Sequence, residues 1–491
     1  MSLEQFHTFL KKKGFIYPAS EIYGGLSGFY DYGHLGTLTK RNLETVWRRF
    51  FLTLAPNYYE IDACQVMNHD VFKASGHLEN FLDPILNCSK CDFSERTDHF
   101  LGDNTKEKHL EGLTPNKYDE LIKNHKLRCP KCKASFQKTK LVNMMFPVYL
   151  GTAQSNIAYL RPETAQSPYV NFKLQYEVQR KKLPLGLATI GKAFRNEISP
   201  RNLTLRQREF TQAELQIFFN PQDFQVDFKK VENYKLKVLL VKDRKNDSGK
   251  AKLFACKSLK KLLPEWYLYH LAKVQQFFLE ILEIPLEKFR LFELNKEERA
   301  FYNKYHFDVE IDLNYLGFTE IGGIHYRTDH DLGGHQKTSK QNMEVMDEKN
   351  NKFIPHVLEL SLGIDRIIYS LLDLSYKEDK KRGNIVLSLP KKMSPFFCSV
   401  FPLVKNKPML VKKTKKVYDE LKDCYSCFYD ETASIGRRYA RADEVGTCYN
   451  LTVDFDSLKD NAVTVRDRDT TKQKRVKISK LKNKLFDLYF S

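Results

Sequence analysis

The stretch "GKAFRNEISPRNLTLRQREFTQAELQIFF", from Gly191 to Phe219, sets four arginines and three glutamates among phenylalanines. Its segments "AFRNEI" and "LTLRQREF" have the pattern of antiparallel strands joined by Ser-Pro-Arg-Asn, where proline presets φ for a turn. The two-residue period of a strand places Arg206, Arg208 and Phe210 on one face. Two interpretations stay open: cross-strand salt bridges, or a pocket in which arginines hold phosphate or carboxylate oxygens beside a stacking ring.

The composition favours a polyanionic partner. The chain has 491 residues, enough for two to four domains, and its 80 basic and 61 acidic residues give a formal charge of +19. An excess of this kind favours RNA or DNA as a ligand, although it does not set the fold. No run reaches the roughly 18 apolar residues of a membrane span, and the first residues lack the pattern of a secretory signal. We therefore expect a cytoplasmic protein without a membrane partner.

Two CxxC pairs predict a zinc site. Cys88 and Cys91 form the first pair, Cys129 and Cys132 the second, and 37 residues separate them. Four thiolates from two such turns close a tetrahedral Zn²⁺ site, which is structural because no coordination position stays open. The segment between them is polar, so metal binding would supply its folding energy. A further pair, Cys424 and Cys427, is more typical of core cysteines than of a redox motif.

The polarity of the chain predicts two insertions and a new unit near the C-terminus. Residues 88–141 are polar and contain the CxxC pairs, and residues 220–305 are lysine-rich and are predicted to be mostly helical. Between and after them, short strand patterns alternate with turns. The last hundred or so residues alternate strands and helices, which indicates a compact α/β domain.

The segment "ELSLGIDR", from Glu359 to Arg366, ends a strand and opens a helix. Glycine at position 363 permits a close approach of the backbone. Arg366 lies in the first helical turn, where a cation is unfavourable for the helix dipole. We therefore expect Arg366 to have another partner, such as the phosphates of a nucleotide or, through a cation–π contact, its base.

These residues carry a resemblance to a known family. "FRNEISPRN" with "REFTQAEL" resembles motif 2 of class II aminoacyl-tRNA synthetases, and "ELSLGIDR" resembles their motif 3. The segments "YLRPETAQ", "EIGGIHYRTDHDL", "ASGHLENFLDP" and "SIGRRYARADEVGTCYNLTVDFD" are similar to those of glycyl-tRNA synthetases of the homodimeric type. The resemblance spans nearly the whole chain and is weakest in residues 220–305. One departure is Ser167, where the family usually has glycine after "RPETAQ".

The resemblance implies an α+β fold with two domains. Residues 1–388 would form the catalytic domain, an antiparallel sheet with flanking helices that carries a zinc-ribbon-like insertion at 88–141 and a second insertion at 220–305. Residues 389–491 would form an α/β anticodon-binding domain. The implied reaction joins glycine and ATP to glycyl-adenylate and then passes glycine to the 3′ end of tRNA(Gly). ATP, Mg²⁺, glycine, tRNA(Gly) and a second copy of the chain are therefore the expected cofactors and partners.

The resemblance also implies roles for individual residues. Arg195 would bind the α-phosphate of ATP, and Phe210 and Arg366 would cover the two faces of adenine, so Arg195 and Arg366 are the expected catalytic residues. Glu320 and Glu359 are the expected Mg²⁺ ligands. The implied ATP-binding positions are Arg195, Asn196, Glu197, Leu205, Arg206, Gln207, Arg208, Glu209, Phe210, Glu320, Ile321, Gly363, Ile364, Asp365 and Arg366. The implied glycine-binding positions are Arg96, Glu163, Phe210, Thr211, Gln212, Ala213, Glu214, Glu359, Leu360, Ser361, Leu362 and Gly363.

Physical chemistry agrees with these roles. Adenylate formation needs in-line alignment and cations around crowded negative charge, which arginines and Mg²⁺ supply. Glycine offers an ammonium group for carboxylates such as Glu163 and Glu214, and a carboxylate for an arginine. A pocket too small for one methyl group excludes alanine by steric overlap.

Other functions remain as alternatives at this stage. One is a class II synthetase for another small amino acid, such as serine, threonine or proline, which amino-acid dependence would distinguish. Another is a non-catalytic RNA-binding accessory protein on the same fold, because fold does not fix function. The presence of both Arg195 and Arg366 argues against it. A role in zinc-dependent nucleic-acid binding alone would use only a small part of the chain.

The C-terminal domain is expected to contact the anticodon. Arg437, Arg438 and Arg441 form a basic cluster near a turn, and recognition of an unstacked RNA loop combines phosphate contacts with stacking and base-edge hydrogen bonds. The alternating "RDRD" run at 466–469 fits salt bridges across strands equally well.

Overall fold

A large mixed sheet organises the first four-fifths of the chain. The computed structural model describes residues 2–490 apart from 108–109, 111, 153–155, 245–248 and 301. In the part described, nine strands form this sheet: β1 (Tyr58–Glu60), β2 (Leu185–Phe194), β3 (Glu209–Phe219), β4 (Lys235–Leu239), β5 (Lys252–Ala255), β6 (Phe289–Glu293), β7 (Tyr305–Leu313), β8 (Gly317–Thr328) and β9 (His356–Gly363).

The centre of this sheet is antiparallel. The spatial order is β5-β4-β6-β7-β8-β9-β3-β2-β1, and every pairing from β6 to β2 is antiparallel. At the two margins, β4 joins β6 and β1 joins β2 in parallel. The antiparallel centre confirms the fold class expected from the sequence.

The helices flank the sheet and complete the C-terminal unit. In chain order they are α1 (Leu3–Lys13), α2 (His34–Phe51), α3 (His69–Ala74), α4 (His77–Asn80), α5 (Thr97–Asn104), α6 (Pro115–Asn124), α7 (Gln166–Val178), α8 (Glu265–Gln276), α9 (His330–Ser339), α10 (Ile364–Ser375), α11 (Pro408–Lys422), α12 (Ile435–Glu444), α13 (Ser457–Asp460) and α14 (Leu481–Phe490). Among the residues with described positions, no helix has both the length and the apolar character needed to cross a bilayer.

The two faces of the sheet have different chemistry because strand side chains alternate. On β3, Ala213, Leu215 and Ile217 face the main hydrophobic core, which includes buried side chains of α2, α8 and α10. The alternating residues Glu214 and Gln216 lie on the opposite face, buried but polar. The polar face at the centre of the sheet therefore holds the candidate site.

Smaller sheets surround this centre. One contains Val66–Asn68, Phe146–Tyr149 and Ile157–Leu160, and another contains Leu82–Asn87, Ser94–Arg96 and Lys140–Asn143. Two-stranded pairs join Ile16–Pro18 to Tyr30–Tyr32, Val345–Met346 to Lys352–Phe353, and Tyr376–Asp379 to Asn384–Leu387.

The C-terminal unit has its own sheet and core. Its strands are β10 (Cys398–Pro402), β11 (Cys427–Tyr429), β12 (Tyr449–Val453), β13 (Ala462–Asp467) and β14 (Gln473–Lys477), in the order β11-β10-β12-β13-β14. Its core begins at Phe397, whereas Leu389 and Met393 belong to the main core. The boundary between cores is thus a few residues later than the predicted 388/389 division.

Two expectations about local structure were wrong. The strands of the 191–219 stretch pair antiparallel, but they meet at Phe194 and Glu209, so residues 195–208 form a long loop rather than a tight turn. The loop is held open by Asp365 and other partners described below. Residues 220–305 are not mostly helical: α8 is accompanied by β4, β5 and β6. These strands extend the edge of the main sheet, whose pairing outweighs local helix preference.

Candidate active site

A cavity of about 450 Å³ lies over the polar face of β3, β8 and β9. Its walls come from the 195–208 loop, the segment before β7 and the start of α10. The predicted ATP positions on it are Arg195, Glu197, Leu205, Arg206, Gln207, Phe210, Glu320, Ile321, Gly363, Asp365 and Arg366, and the predicted glycine positions are Glu163, Phe210, Thr211, Gln212, Glu214, Glu359, Ser361 and Gly363.

Strand register orders the floor of the cavity into rows. Gly323 of β8 lies opposite Ser361 of β9, and Ser361 lies opposite Glu214 of β3. In the adjacent row, His325 lies opposite Glu359, which in turn lies opposite Gln216. Residues far apart in the sequence therefore meet because three long strands pair without a shift at these positions.

Glu359 is the centre of a buried ionic cluster. One oxygen accepts hydrogen bonds from Arg327 Nη1 at 3.0 Å and Gln216 Nε2 at 2.9 Å, and the other accepts from His325 Nδ1. Burial raises the pKa of Glu359, but Arg327 and His325 outweigh it and lower the pKa to about 2. Glu359 is therefore ionised at neutral pH, and both its oxygens are already engaged.

Arg327 organises the carboxylates around it. Its Nε and Nη2 donate to Asp331 at 2.8 and 2.9 Å, and its guanidinium lies 3.8 Å from Glu163. Only 4% of its side chain is exposed. Although burial raises the pKa of Glu163, His77 and Arg327 hold that pKa well below its usual range. The cluster thus presents fixed negative charge to the cavity.

Glu214 differs from its neighbours because no cation pairs with it among the described residues. Its oxygens accept hydrogen bonds from Thr164 Oγ1 at 2.7 Å and Ser361 Oγ at 2.6 Å. Burial, with the charges of Glu359 and Glu163, raises the pKa of Glu214 to about 8. A cationic ligand beside Glu214 would supply the missing partner.

Arg195 stands where the long loop begins. Its Nε donates to Pro162 O at 3.0 Å, and its guanidinium lies 5.3 Å from the ring centroid of Phe210 and 5.5 Å from that of Phe81. No carboxylate pairs with Arg195 among the described residues. A cation held by rings and a carbonyl keeps its charge available for an anionic ligand.

The rest of the loop is fixed by ion pairs and by Asp365. Arg206 pairs with Glu197 at 2.7 Å, so part of the charge in the 191–219 stretch is internally balanced. Buried Asp365 accepts from Tyr32 Oη at 2.6 Å, Gln207 Nε2 at 3.0 Å and the backbone N–H of Thr211 at 2.5 Å. Asp365 thereby ties the loop to the start of α10.

Arg366 lies in the first turn of α10, as expected, and its guanidinium has partners there. Its Nε donates to Leu205 O at 3.1 Å, and its Nη1 donates to Glu320 O at 3.0 Å and lies 3.2 Å from the Glu320 carboxylate. These contacts fix the arginine at the cavity wall, between Leu205 of the 195–208 loop and Glu320 of β8.

Some predicted positions lie outside the residues that line the cavity: Arg96, Asn196, Arg208, Glu209, Ala213, Leu360, Leu362 and Ile364. Ala213, Leu360 and Leu362 face the core by strand alternation, and Ile364, the first residue of α10, is buried in the same core. Arg96 pairs with Asp83 at 3.1 Å and also with Asp98. Arg208 donates to Glu197 O at 2.9 Å, and Glu209 pairs with Lys192 at 3.0 Å.

Sequence reasoning gave no ATP-binding or glycine-binding role to several residues of the cavity. They are Thr204, Leu294, Ala300, Tyr302, Asn303, His306, Asp308, Gly322, Gly323, His325 and Arg327. The two-residue alternation of His306 and Asp308 was a signal for a polar strand face. Arg327 lies within the quoted "HYRTDHDL" segment, but nothing in the sequence shows that it meets Glu359.

The four cysteines of the insertion come together as the spacing predicted. Their sulfur atoms all lie within 4.8 Å of one another, with 3.4 Å between Cys88 and Cys132 and 3.6 Å between Cys91 and Cys129. At a Zn–S distance of about 2.3 Å, a tetrahedral site spaces its sulfurs about 3.8 Å apart. The thiolate set therefore fits Zn²⁺.

Two arginines of the predicted basic cluster, Arg438 and Arg441, have structural partners, whereas Arg437 is exposed. Arg438 is buried and donates to carbonyl oxygens of Pro402 and Leu403, and Arg441 pairs with Asp430. In the "RDRD" run, Arg466 forms two hydrogen bonds with Asp443 at 2.8 and 2.9 Å. Arg466 of β13 therefore forms a salt bridge, but with a residue of α12 rather than across strands as the pattern suggested.

Two family models match the chain. The model described as "tRNA synthetase class II core domain (G, H, P, S and T)" matches residues 152–374, and the one described as "Anticodon binding domain" matches residues 398–488. A crystal structure of prolyl-tRNA synthetase from Cryptosporidium parvum, complexed with L-proline and AMP, has a similar fold. The TM-score is 0.59 at 14% identity, over 99% of this chain and 74% of that one.

Full-length relatives are also found. A glycine–tRNA ligase of Pyrococcus horikoshii is 35% identical, over 99% of this chain and 98% of the relative. The glycine–tRNA ligase of Mesoplasma florum is 35% identical, over 98% of this chain and 98% of the relative. That of Clostridium beijerinckii is 36% identical, over 98% of this chain and 97% of the relative.

The antiparallel sheet, the arginine-bearing loop and the two matched domains define the class: an aminoacyl-tRNA synthetase of class II. The identity to the curated relatives then narrows this class. The chain belongs to the glycine–tRNA ligase family.

Proposed function

We propose that this chain activates glycine with ATP, forms glycyl-adenylate and pyrophosphate, and transfers glycine to tRNA(Gly) with release of AMP. The observation that carries the proposal is the carboxylate cluster of Glu163, Glu214 and Glu359 at the floor of the cavity. Such a cluster suits a small ligand whose ammonium group is its main recognition feature. The family of the chain supplies the reaction class.

Glu214 and Glu163 receive the ammonium group of glycine in this proposal. Glu214 has hydroxyl donors but no cationic partner in the described structure. Glu359 acts differently: its oxygens are engaged by Arg327, His325 and Gln216, so it orients the cluster. The same engagement makes Glu359 a poor Mg²⁺ ligand, whereas the half-exposed Glu320 keeps access to solvent.

Arg195 neutralises the anionic groups that meet when glycine attacks ATP. Its guanidinium lines the same cavity as Glu214, and no described carboxylate competes for it. Arg96, which the resemblance assigned to glycine, is paired with Asp83 and Asp98 outside the cavity lining. Arg195 is therefore the better candidate for the carboxylate of glycine as well as the α-phosphate.

Adenine fits between Phe210 and Arg366. Both residues line the cavity, and Arg366 is held by Leu205 O and Glu320. When bound, Mg²⁺ would add positive charge at the phosphates. Zn²⁺ would be held by the four cysteines and would stabilise the insertion rather than take part in the chemistry.

A second copy of the chain fits an apolar surface on α7. Val170, Leu174 and Val178 form a stripe at i, i+4 and i+8 and are 36%, 62% and 61% exposed. Val170 shares a groove of about 440 Å³ with Val66 of the neighbouring small sheet. An exposed stripe of this kind is typical of a contact between subunits, and it supports the homodimer.

We also assign the enzyme to the cytoplasm, where its tRNA substrate is used.

The test is ATP–pyrophosphate exchange with glycine, alanine, serine and threonine supplied separately. Exchange with glycine alone is the expected result. Exchange with another amino acid would replace the substrate and keep the reaction. Absence of exchange with all of them, from folded protein that binds tRNA, would favour a non-catalytic RNA-binding role.

A further inference from the structure

The side chain of His325 covers a part of the cavity floor where the strand has a glycine and therefore no side chain. In the floor of the cavity, Gly323 lies in the same row as Ser361 and Glu214. Residues 323 and 325 of β8 share a face because strand side chains alternate. The bare backbone at Gly323 therefore leaves a space that only its neighbours on that face can fill.

The imidazole of His325 fills that space. A Cβ atom added at Gly323 would overlap Nε2 of His325 and would lie 3.1 Å from two of its ring carbons. Strand side chains lean along the strand direction, which brings the ring back over position 323. The ring thus lies beside the row that contains Ser361 and Glu214.

Several contacts keep the ring in this position. His325 Nδ1 is hydrogen-bonded to Glu359, and its ring packs edge-on against His306 with 4.1 Å between centroids. His306 is in turn bonded to Asp308 at 2.9 Å. Only 18% of the His325 side chain is exposed. A ring held on two sides cannot move aside without breaking a buried ion pair.

We propose that His325 sets the size limit of the amino-acid site, so that a substrate with a Cβ atom overlaps its imidazole ring. This inference rests on the proposed function, because it concerns the same site. In this proposal, the limited space above Gly323 distinguishes glycine from alanine. The carboxylates bind the ammonium group, which both amino acids have.

The test measures kcat/KM for glycine and for alanine in pyrophosphate exchange and compares their ratio between variants. The ratio does not depend on the fraction of folded enzyme. For His325→Ala, the glycine-to-alanine ratio should fall about tenfold or more, the scale on which a pocket discriminates one methyl group. Glu359 keeps Arg327 as its partner in this variant.

A double variant separates volume from structural damage. In Gly323→Ala/His325→Ala, the added methyl group occupies part of the space that the ring vacates, so the ratio should rise back toward the wild-type value. The control is His270→Ala, which removes a buried histidine of α8 that is bonded to Trp266 O, away from the cavity lining. Its ratio should equal that of the wild type.

Three results would overturn the inference: a His325→Ala ratio within twofold of the wild type, a double variant that stays at the His325→Ala value, or an equal fall in His270→Ala. If His325→Ala does not fold, His325→Asn retains a donor toward Glu359 with a smaller side chain, and the same fall in the ratio is expected. Wild-type enzyme that fails to exchange with glycine would instead refute the proposed function.

Discussion

Glycine binding should tighten as the pH rises toward 8, because Glu214 must ionise to pair with the ammonium group. Burial and the nearby charges of Glu359 and Glu163 raise the pKa of Glu214 to about 8. A carboxyl group with a raised pKa stays protonated at neutral pH, and an arriving cation lowers the pKa again. Binding at neutral pH should therefore release a proton.

The size of the effect follows from that pKa. At pH 7 roughly one Glu214 in ten is ionised in the free enzyme, so glycine should displace about 0.9 proton per molecule bound. Between pH 7 and pH 8.5 the ionised fraction rises roughly eightfold, and the dissociation constant for glycine should fall by about the same factor.

The assay is isothermal titration calorimetry of glycine, in buffers of different ionisation enthalpy, from pH 6.5 to 8.5. The matched control is Glu214→Gln, which keeps the shape of the side chain and an amide in place of the protonated carboxyl. It should bind glycine weakly, and the pH dependence that arises from Glu214 should disappear. Glu163 and Glu359 do not contribute in this range, because their pKa values are lowered in the folded protein.

A proton release near zero at pH 7 would refute the reasoning, because Glu214 would then already be ionised without its ligand. A pH dependence of glycine binding in Glu214→Gln equal to that of the wild type would refute the assignment to Glu214. In that case the titrating group would be elsewhere, and His325, whose pKa is raised by Glu359 against the effect of burial, would be the next residue to change.

Four further outcomes are expected. Arg195→Ala should reduce pyrophosphate exchange by about 10²-fold or more without changing the melting temperature, and near-normal exchange would contradict its role. Metal analysis should find about one zinc ion per chain, and Cys129→Ser should lose that zinc; metal-free wild-type protein would leave the cysteine cluster unexplained. The logarithm of tRNA affinity should fall steeply with the logarithm of salt concentration, whereas a flat response would exclude a large electrostatic contribution. Asp443→Ala should destabilise the C-terminal unit by about 3 kcal/mol because buried Arg466 loses its partner, and an unchanged unfolding transition would contradict that estimate.

The cluster of four cysteines could be predicted from the sequence because the information for it is local. Each CxxC pair fixes two thiolates on one turn, and the only long-range requirement is that the two turns meet. The bounds of the insertion could also be predicted locally, because the segment around the cysteines is polar. Here the structure adds the distances between the sulfurs and changes little else.

The long loop could not be predicted because its conformation depends on distant partners. "SPRN" has good turn chemistry, yet Asp365 of α10 and Tyr32 of an N-terminal strand fix the neighbouring segment. Residues 220–305 were misjudged for a related reason. Apolar runs of four or five residues fit a helix or a strand, and only the open edge of the sheet decides between them.

The lining of the cavity was partly predicted. Four positions that the resemblance assigned to glycine, Glu163, Glu214, Glu359 and Ser361, all line it. The roles proposed for Arg327 and His325 depend on strand register: His325 lies opposite Glu359 only because β8 and β9 pair in this alignment. A shift of one residue would move each of these side chains to the other face.

The same strand register gives two tasks to different residues: binding of the ammonium group and discrimination between glycine and alanine. Burial and the nearby carboxylates of Glu359 and Glu163 raise the pKa of Glu214 to about 8, so at neutral pH Glu214 ionises mainly when a cation arrives. That requirement is common to every amino acid. His325 acts by occupying the space over Gly323, and only a substrate with a side chain would overlap it. Glu214→Gln should therefore weaken glycine and alanine alike, whereas His325→Ala should change their ratio. Because Glu359 interacts with both residues, the double variant should show coupling between the two effects rather than their simple sum.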